Sequence, residues 1–333
     1  MNDVNTVNQV KNNNIKAIKN ALRSIPEGTK NTVAQMTGLS VATCNTILNE
    51  LAQSGEILET GSTAPTIGRP PKSYRFNESY SYVLAVFTYE ENGYTLNSAV
   101  MDLLGNIVYE DTLPMNSIEP EDIIEYIGEK ITEEPKIQYI SLGISGFYYN
   151  GIVSESGIES LVGVDLKGMI EKAFHLPVFI ENDTNAMAHG VYAYGELTES
   201  KNDMALLAFF KERQPGCGII IGGKVHAGNT MFAGEVSNLV FGFDNSRNQR
   251  KNLLPAEYTI ECAVTCVISL CCTVNPELIV FTGEALDRKA LDKIRRQVKK
   301  HIPEEHMPIL RYGNDVRKYY FWGLCANALA DEI

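Results

Sequence analysis

The residues best suited to chemistry follow an apolar run. Val178-Phe179-Ile180 reads as a strand and passes directly into Glu181-Asn182-Asp183-Thr184-Asn185-Ala186, which opens a helix. Asp183 then lies where a strand ends and a helix starts, and the helix dipole favours its charge. A carboxylate there can take a proton from a hydroxyl, and Asn182 can hydrogen-bond a second hydroxyl. The same placement also suits simple capping by Asp183, and spacing alone leaves both readings open. A second stretch, Gly216-Cys217-Gly218-Ile219-Ile220-Ile221-Gly222-Gly223-Lys224, sets glycines around a short apolar run. Bare glycines let a backbone approach a phosphate. They equally make ordinary hairpin turns.

A third constellation lies near the N-terminus. Ile15, Ile18, Leu22 and Ile25 recur at helical spacing, which predicts a helix from about Asn12 to Ile25. Thr29 suits the cap of a short second helix carrying Val33 and Met36. In Thr37-Gly38-Leu39-Ser40, Gly38 suits a left-handed helix end and Ser40 the cap of the next helix, Val41 to about Gln53. Two helices joined by such a turn make a helix-turn-helix. The third helix opens Val41-Ala42-Thr43-Cys44-Asn45-Thr46, small or polar and free of acid. A helix end that meets phosphates and base edges needs that profile, so Ser40, Ala42, Thr43, Asn45 and Thr46 are candidate DNA contacts. Glu56–Thr60 and Ser73–Phe76 read as strands around a wing, Gly61–Lys72. Its Gly68-Arg69-Pro70-Pro71-Lys72 is extended and basic, which makes Arg69 and Lys72 candidates as well, Arg69 for a minor groove. A helical domain that touches only protein is the competing reading.

Charge agrees with that placement. The chain of 333 residues carries −12 overall. Residues 1–78 hold eight basic and six acidic side chains, so they stand at +2 and the rest at −14. An acidic body repels nucleic acid, which confines DNA contact to the N-terminal segment. With 44% hydrophobic and 21% charged residues the composition is that of a globular protein, not a disordered chain or a collagen. Seven cysteines without framework spacing point to reduced thiols in a cytoplasm. No run of 18 apolar residues predicts a membrane span, and the polar, Asn-rich start does not read as a signal peptide.

From Tyr82 onward the pattern is β, then alternating β and α. Strands are predicted at Tyr82–Tyr89, Thr95–Asp102, Ile107–Leu113, Ile137–Ile144, Pro177–Glu181, Met204–Phe210, Gly218–Ile221, Leu278–Thr282 and Ile309–Arg311. Helices are predicted at Pro120–Glu133, Leu166–Phe174, Thr184–Tyr194, Ala256–Cys272, Asp287–His301 and Asp315–Ala330. Three strands followed by alternation, twice over, predict two related α/β lobes with a ligand cleft between strand ends. The expected division is 1–78 for the DNA-binding domain, 79–182 with the C-terminal helix 314–333 for a first lobe, and 183–313 for a second.

These residues, in this order, resemble the ROK family of repressors and sugar kinases. Glu181-Asn182-Asp183-Thr184-Asn185-Ala186 resembles its E-N-D-A-N-A signature, whose Asp is the catalytic base in kinase members. Ala233-Gly234-Glu235-Val236-Ser237-Asn238 resembles its A-G-E-I-G-H segment, whose Glu contacts the sugar. The run from Gly216 through Gly218 to Gly222 and Gly223 resembles a second phosphate loop. Asn275 to Val280 with Thr282-Gly283 resembles the adenosine-side strand and turn. The resemblance covers nearly the whole chain. It implies a winged helix-turn-helix followed by a two-lobed, actin-like, ribonuclease H-like sugar-kinase body.

Departures from the family pattern bear on activity. Family kinases carry an Asp-x-Gly-x-Thr loop after the first strand, where this chain has Phe87-Thr88-Tyr89-Glu90-Glu91-Asn92-Gly93. Acids beside a triphosphate repel it, and phosphoryl transfer depends on electrostatic clamping. Asn238 replaces the family's metal-binding His, and Phe241–Glu261 contains no cysteine, so no zinc is expected. The Asn and Trp usual before the first-lobe helix are missing from Gly157–Val162, which leaves Glu159 as the polar candidate there.

The sequence therefore predicts a DNA-binding regulator, a repressor, with Asn182, Asp183, Glu235, Asn238 and Glu159 as effector contacts. Asp183 is then a vestigial base, and Gly216, Gly218, Gly222, Gly223 and Gly283 are vestiges of nucleotide binding. No cofactor or metal is expected. The expected partners are an operator duplex, a sugar or related polar effector, and a second copy of the chain in a homodimer or higher oligomer. The alternatives are an active ATP-dependent sugar kinase with a DNA-binding head, and a scaffold regulated by a protein partner.

Overall fold

Short capped helices open the chain. The computed structural model describes residues 2–61, 72–90, 93–195, 202–211, 213–239, 241 and 258–330. Helix α1 (Asn2–Arg23) is followed by a two-residue strand β1 (Gly28–Thr29), α2 (Lys30–Thr37), α3 (Val41–Ser54), and strands β2 (Ile57–Thr60) and β3 (Ser73–Phe76). Thr29 caps α2 by accepting from Thr32 N at 3.2 Å, and Ser40 caps α3 by accepting from Thr43 N at 3.1 Å. Gly38 closes α2 at φ 70°, and Gly55 closes α3 at φ 86°. Helix α1 starts at Asn2, well before the expected Asn12, because apolar spacing is blind to a polar stretch. A Lys11–Glu50 ion pair of 2.8 Å ties that stretch to α3. The three strands form an antiparallel sheet in the order β1-β3-β2. The tip expected as a wing falls at residues 62–71, outside the described residues.

Two five-stranded sheets follow, built on one plan. The first uses β4 (Tyr82–Glu90), β5 (Tyr94–Met101), β6 (Ile107–Met115), β7 (Ile137–Ile144) and β10 (Val178–Asn182), with α4 (Pro120–Glu133) and α5 (Leu166–Phe174) between them. A hairpin, β8 (Gly146–Tyr149) and β9 (Ile152–Ser156), projects after β7. After α6 (Asp183–Tyr194), the second sheet uses β11 (Met204–Ala208), β12 (Gly216–Ile221), β13 (Lys224–Val225), β14 (Leu278–Thr282) and β15 (Ile309–Tyr312). Helices α7 (Thr259–Thr273) and α8 (Arg288–Val298) belong to this part, and α9 (Val316–Leu329) ends the described chain. The strand orders are β10-β7-β4-β5-β6 and β13-β12-β11-β14-β15. In each sheet the first three strands form an antiparallel meander, and the next two add in parallel beside the first. This repeated topology is the actin-like arrangement of sugar kinases.

Apolar faces sort the elements into layers. Helices α4 and α5 cover the outer face of the first sheet through Ile123, Ile127, Leu166 and Ile170. Helices α7 and α8 cover the outer face of the second through Cys262, Cys266, Val267 and Ile294. Between the sheets lie α6 and α9, crossing where both backbones are bare. A Cβ on Gly190 would meet Tyr319 O and Gly323 N, and one on Gly323 would meet Ala186 O. Their core runs without a break into the N-terminal helices through Ile18, Leu22 and Leu48. Among the described residues no helix is long and apolar enough to cross a membrane.

The glycine run splits: one pair makes the expected hairpin turn and the other meets neither expectation. Gly216 and Gly218 lie inside β12, not in a loop, and both face α6. A Cβ at either would collide with Thr184. These glycines admit a helix against a strand. Gly222 and Gly223 form the β12–β13 turn at φ 57° and 80°, with Gly222 N donating to Asp203 Oδ1 at 2.8 Å.

Candidate functional site

Where strand ends of both sheets meet the N-termini of α6 and α9, a cleft of about 800 Å³ opens. Asn182 is the hinge between β10 and α6. Its Oδ1 accepts from Thr184 N at 3.0 Å, Thr184 Oγ1 at 2.7 Å and Asn185 N at 3.1 Å. Its Nδ2 donates to Gly146 O at 2.8 Å, which fastens the β8 hairpin to the helix start. Capping therefore falls to Asn182, and Asp183 is the first helical residue. The Asp183 carboxyl accepts from Thr184 N at 2.7 Å. Burial pushes it above the usual carboxylate range, while the Thr184 amide and the Arg213 guanidinium pull the other way. Behind it, burial likewise raises Glu181, whose Oε1 accepts from Asn182 N at 2.9 Å and Asn185 Nδ2 at 3.3 Å.

Glu235 reaches the cleft from the loop that follows β13, just before a short turn, Val236–Asn238. Gly234 sets that loop down on β12 at φ 95°, where a Cβ would strike Cys217 O. Asn238 lines the same rim, and its Nδ2 donates to Ser237 Oγ at 3.3 Å. Asn182, Asp183, Glu235 and Asn238 thus share one cavity. Glu159 does not; it heads the turn Glu159–Leu161, and its neighbours Gly157 and Ile158 line the cleft instead. Among the expected nucleotide glycines, Gly216 and Gly283 line the cleft, and Gly218, Gly222 and Gly223 do not. Gly218 faces α6 and the pair sits in a distant turn, so neither presents backbone to the cavity.

Of the opposite wall, the sequence pointed only to the Phe87–Tyr89 stretch. The Arg213 guanidinium lies 4.3 Å from the Tyr89 ring centroid. Phe87 stacks on Tyr320 with centroids 4.2 Å apart. The Tyr320 ring covers Gly143, and its hydroxyl, raised by burial next to Asp183 and Glu181, has no hydrogen-bond partner. Arg317 donates to Glu110 Oε2 at 2.8 Å, to Thr112 Oγ1 at 3.1 Å and to Asn97 Oδ1. The expected acidic wall is not placed: residues 91 and 92 and the Glu90 side chain lie outside the described residues. Arg317 and Tyr320 sit one turn apart on α9, a helix otherwise apolar enough to read as pure core. No group of three or more His, Cys, Asp or Glu among the described residues is arranged to hold a metal ion.

At the N-terminal end, Ser40, Ala42 and Thr46 are exposed on the first turns of α3, and Thr43 and Asn45 are half-buried. No acid lies in that first turn. Lys72 pairs with Glu59 at 2.7 Å. Arg69 lies outside the described residues.

Comparison with known proteins adds three findings. The xylose repressor of Bacillus subtilis strain 168 is 28% identical over 227 residues, 65% of this chain and 57% of that protein. This chain thus spans under two thirds of that relative's length. A ROK family transcriptional regulator, itself a homologue of the E. coli MLC protein, shares the fold at TM-score 0.72 and 18% identity, across 97% of both chains. A ROK hexokinase from Thermus thermophilus shares it at TM-score 0.61 and 16% identity, across 75% of this chain and 98% of its own. The ROK family profile matches residues 92–247, the stretch from β5 past Asn182, Asp183 and Glu235. That stretch of the chain is a ROK family domain.

Proposed function

We propose that this protein is a sugar-responsive, DNA-binding repressor whose cleft senses its ligand without phosphorylating it. The observation that carries the reading is one chain joining α2, the Gly38 turn and an α3 whose first turn is acid-free to a cleft lined by Asn182, Asp183 and Glu235. In this reading α2 and α3 are a helix-turn-helix, β2 and β3 flank its wing, and Ser40, Ala42, Thr43, Asn45 and Thr46 meet the major groove. The likeness to a ROK transcriptional regulator takes in nearly the whole chain, whereas a complete ROK hexokinase leaves a quarter of it unmatched. Similarity to a xylose repressor directs the first choice of effector to pentoses.

Chemistry at the cleft fits a polyol. A buried carboxylate and a carboxamide accept and donate to vicinal hydroxyls, and a site built on such groups rejects analogues that lack them. The mechanism is linkage: a sugar that binds one arrangement of the lobes better than another shifts the heads of a homodimer. Two heads about 34 Å apart would read a palindrome on one face of the duplex. The test is a gel shift with duplexes selected from a random library, run with and without D-xylose, D-glucose and N-acetylmannosamine. Retention of a defined palindrome and its release by one sugar are expected. No retained duplex overturns the reading.

A sugar kinase is the second reading, favoured by one observation: Asp183 and Asn182 stand in the cleft as a base and its neighbour would. The Phe87 and Tyr320 rings of the facing wall oppose it by taking space beside Asp183, whereas the guanidinium groups there would attract a phosphate. A coupled ATP assay across the same sugars decides. Turnover that vanishes in Asp183→Ala establishes the kinase.

A further inference from the structure

Helix α6 touches both ends of the molecule. Its 12 residues span roughly 18 Å at the usual helical rise. Asn182 and Asp183 hold its first turn in the cleft, and Tyr194 is its last residue. The Tyr194 ring stacks on Trp322 at 5.1 Å and lies over Gly105, whose bare Cα at φ 82° leaves it room. Its hydroxyl is an electrostatic neighbour of the Cys325 thiol, which donates to Asp102 O at 3.9 Å. Into this cluster comes a residue of the N-terminal segment. Arg23 ends α1, lies 5.3 Å from the Phe76 ring of β3, and has Tyr194, Cys325 and Asp102 as its electrostatic neighbours. Asp102 is buried and spends its carboxylate on Leu104 N, Asn106 N and Asn106 Nδ2, so the turn beneath Tyr194 is rigid.

We infer that α6 is the rod that couples cleft to head, with Tyr194 and Arg23 as the positioning residues of its far joint. The inference rests on the sensing reading above and deepens it. Asn182 is where a ligand acts on the rod. Its one carboxamide both caps α6 and anchors Gly146, so a hydroxyl that takes either bond releases the helix or the hairpin. Bare-backbone contact at Gly190 and Gly323 obliges α9 to follow α6. A shift of that pair moves Tyr194 against Arg23, and through it α1 and Phe76. Contiguous packing of this kind can carry coupling energy when the element between two sites has two arrangements.

The chain contains one tryptophan, and it is part of the joint. Trp322 stacks on Tyr194, and Lys318 Nζ lies 4.3 Å from its ring. Its emission therefore reports on the joint directly. The experiment titrates the full chain with D-xylose, D-glucose and N-acetylmannosamine by calorimetry and by Trp322 fluorescence together. Emission is expected to change with the same midpoint as the heat. A sugar that binds by calorimetry and leaves Trp322 unchanged overturns the inference; absence of heat with every sugar overturns the sensing reading beneath it. In the native chain, sugar should weaken operator affinity by roughly 5–150-fold. Arg23→Gln, a half-exposed position that tolerates change, should bind sugar and DNA separately like the native chain but lose that factor. Arg23→Lys, which keeps the charge over Phe76, should restore it. Linkage that survives in both Arg23→Gln and Tyr194→Leu overturns the joint.

Discussion

The two walls of the cleft use different chemistry. One wall, Asn182, Asp183 and Glu235, is polar, sits on a helix start and a loop, and leaves space beside it. The other, Phe87, Tyr89, Arg213, Arg317 and Tyr320, is packed with rings and guanidinium groups that hold one another in place. A kinase needs room on both sides of its base, one for the acceptor hydroxyl and one for the phosphoryl donor. Here both walls border one cavity, and the second is held together by its own side chains. The contrast teaches that one cavity can set groups suited to recognising hydroxyls against a wall whose rings and guanidinium groups are engaged with one another.

The largest expected effect comes from separating the walls. Gly323 on α9 lies against Ala186 on α6, and Gly323→Val forces the helices apart. A cost of about 3 kcal/mol, seen as a lowered midpoint in chemical denaturation, is expected. An unchanged midpoint would mean that α6 and α9 are not held together at this crossing. Next in size is Asn182→Ala, which removes the cap and the tether to Gly146 at once. Stability should fall by about 1–2 kcal/mol, and sugar affinity by calorimetry should fall with it. Loss of stability with full sugar affinity would show that the polar wall works without Asn182.

The polar wall was legible in the sequence and most of the filled wall was not, for a physical reason. Glu181-Asn182-Asp183 follows an apolar strand, and a strand-to-helix switch exposes its residues at a sheet edge whatever surrounds it. Turn chemistry at Gly38 and Ser40 was legible on similar grounds, since φ and capping are local. Phe87, Arg317 and Tyr320 come from strands and helices that meet only in the folded molecule, and their types match core and surface equally well. The glycines of β12 misled for a related reason. Close approach to a phosphate and close approach to Thr184 require the same missing Cβ, and only the partner distinguishes them. Glu159 failed because a three-residue turn sets side-chain direction in a way that no period encodes. The β8–β9 hairpin was missed because Phe147-Tyr148-Tyr149-Asn150-Gly151 is too short to show alternation.

A smaller effect probes Asp183 itself. Its raised carboxyl favours the protonated form in the folded state, so folding takes up a proton there. The sign follows: this contribution to stability is complete below the unfolded-state value near 4, and it is lost as pH rises through the higher folded value. Asp183→Asn removes the buried charge. Thermal denaturation at neutral pH should show a gain of about 1 kcal/mol, with a flatter pH dependence and weaker sugar binding. A variant less stable than the native chain would place the carboxylate's hydrogen bond from Thr184 above its desolvation.

The smallest expected effect tests whether the filled wall is structure alone. The Tyr320 hydroxyl is buried without a partner, and such a group contributes nothing to offset its desolvation. Tyr320→Phe keeps the stack on Phe87 and removes only that oxygen. Stability should stay the same or rise by up to about 1 kcal/mol, and sugar affinity should not move. A clear fall in sugar affinity would put the hydroxyl in contact with the ligand, and the division into a working wall and a packed one would then fail at the residue that most defines it.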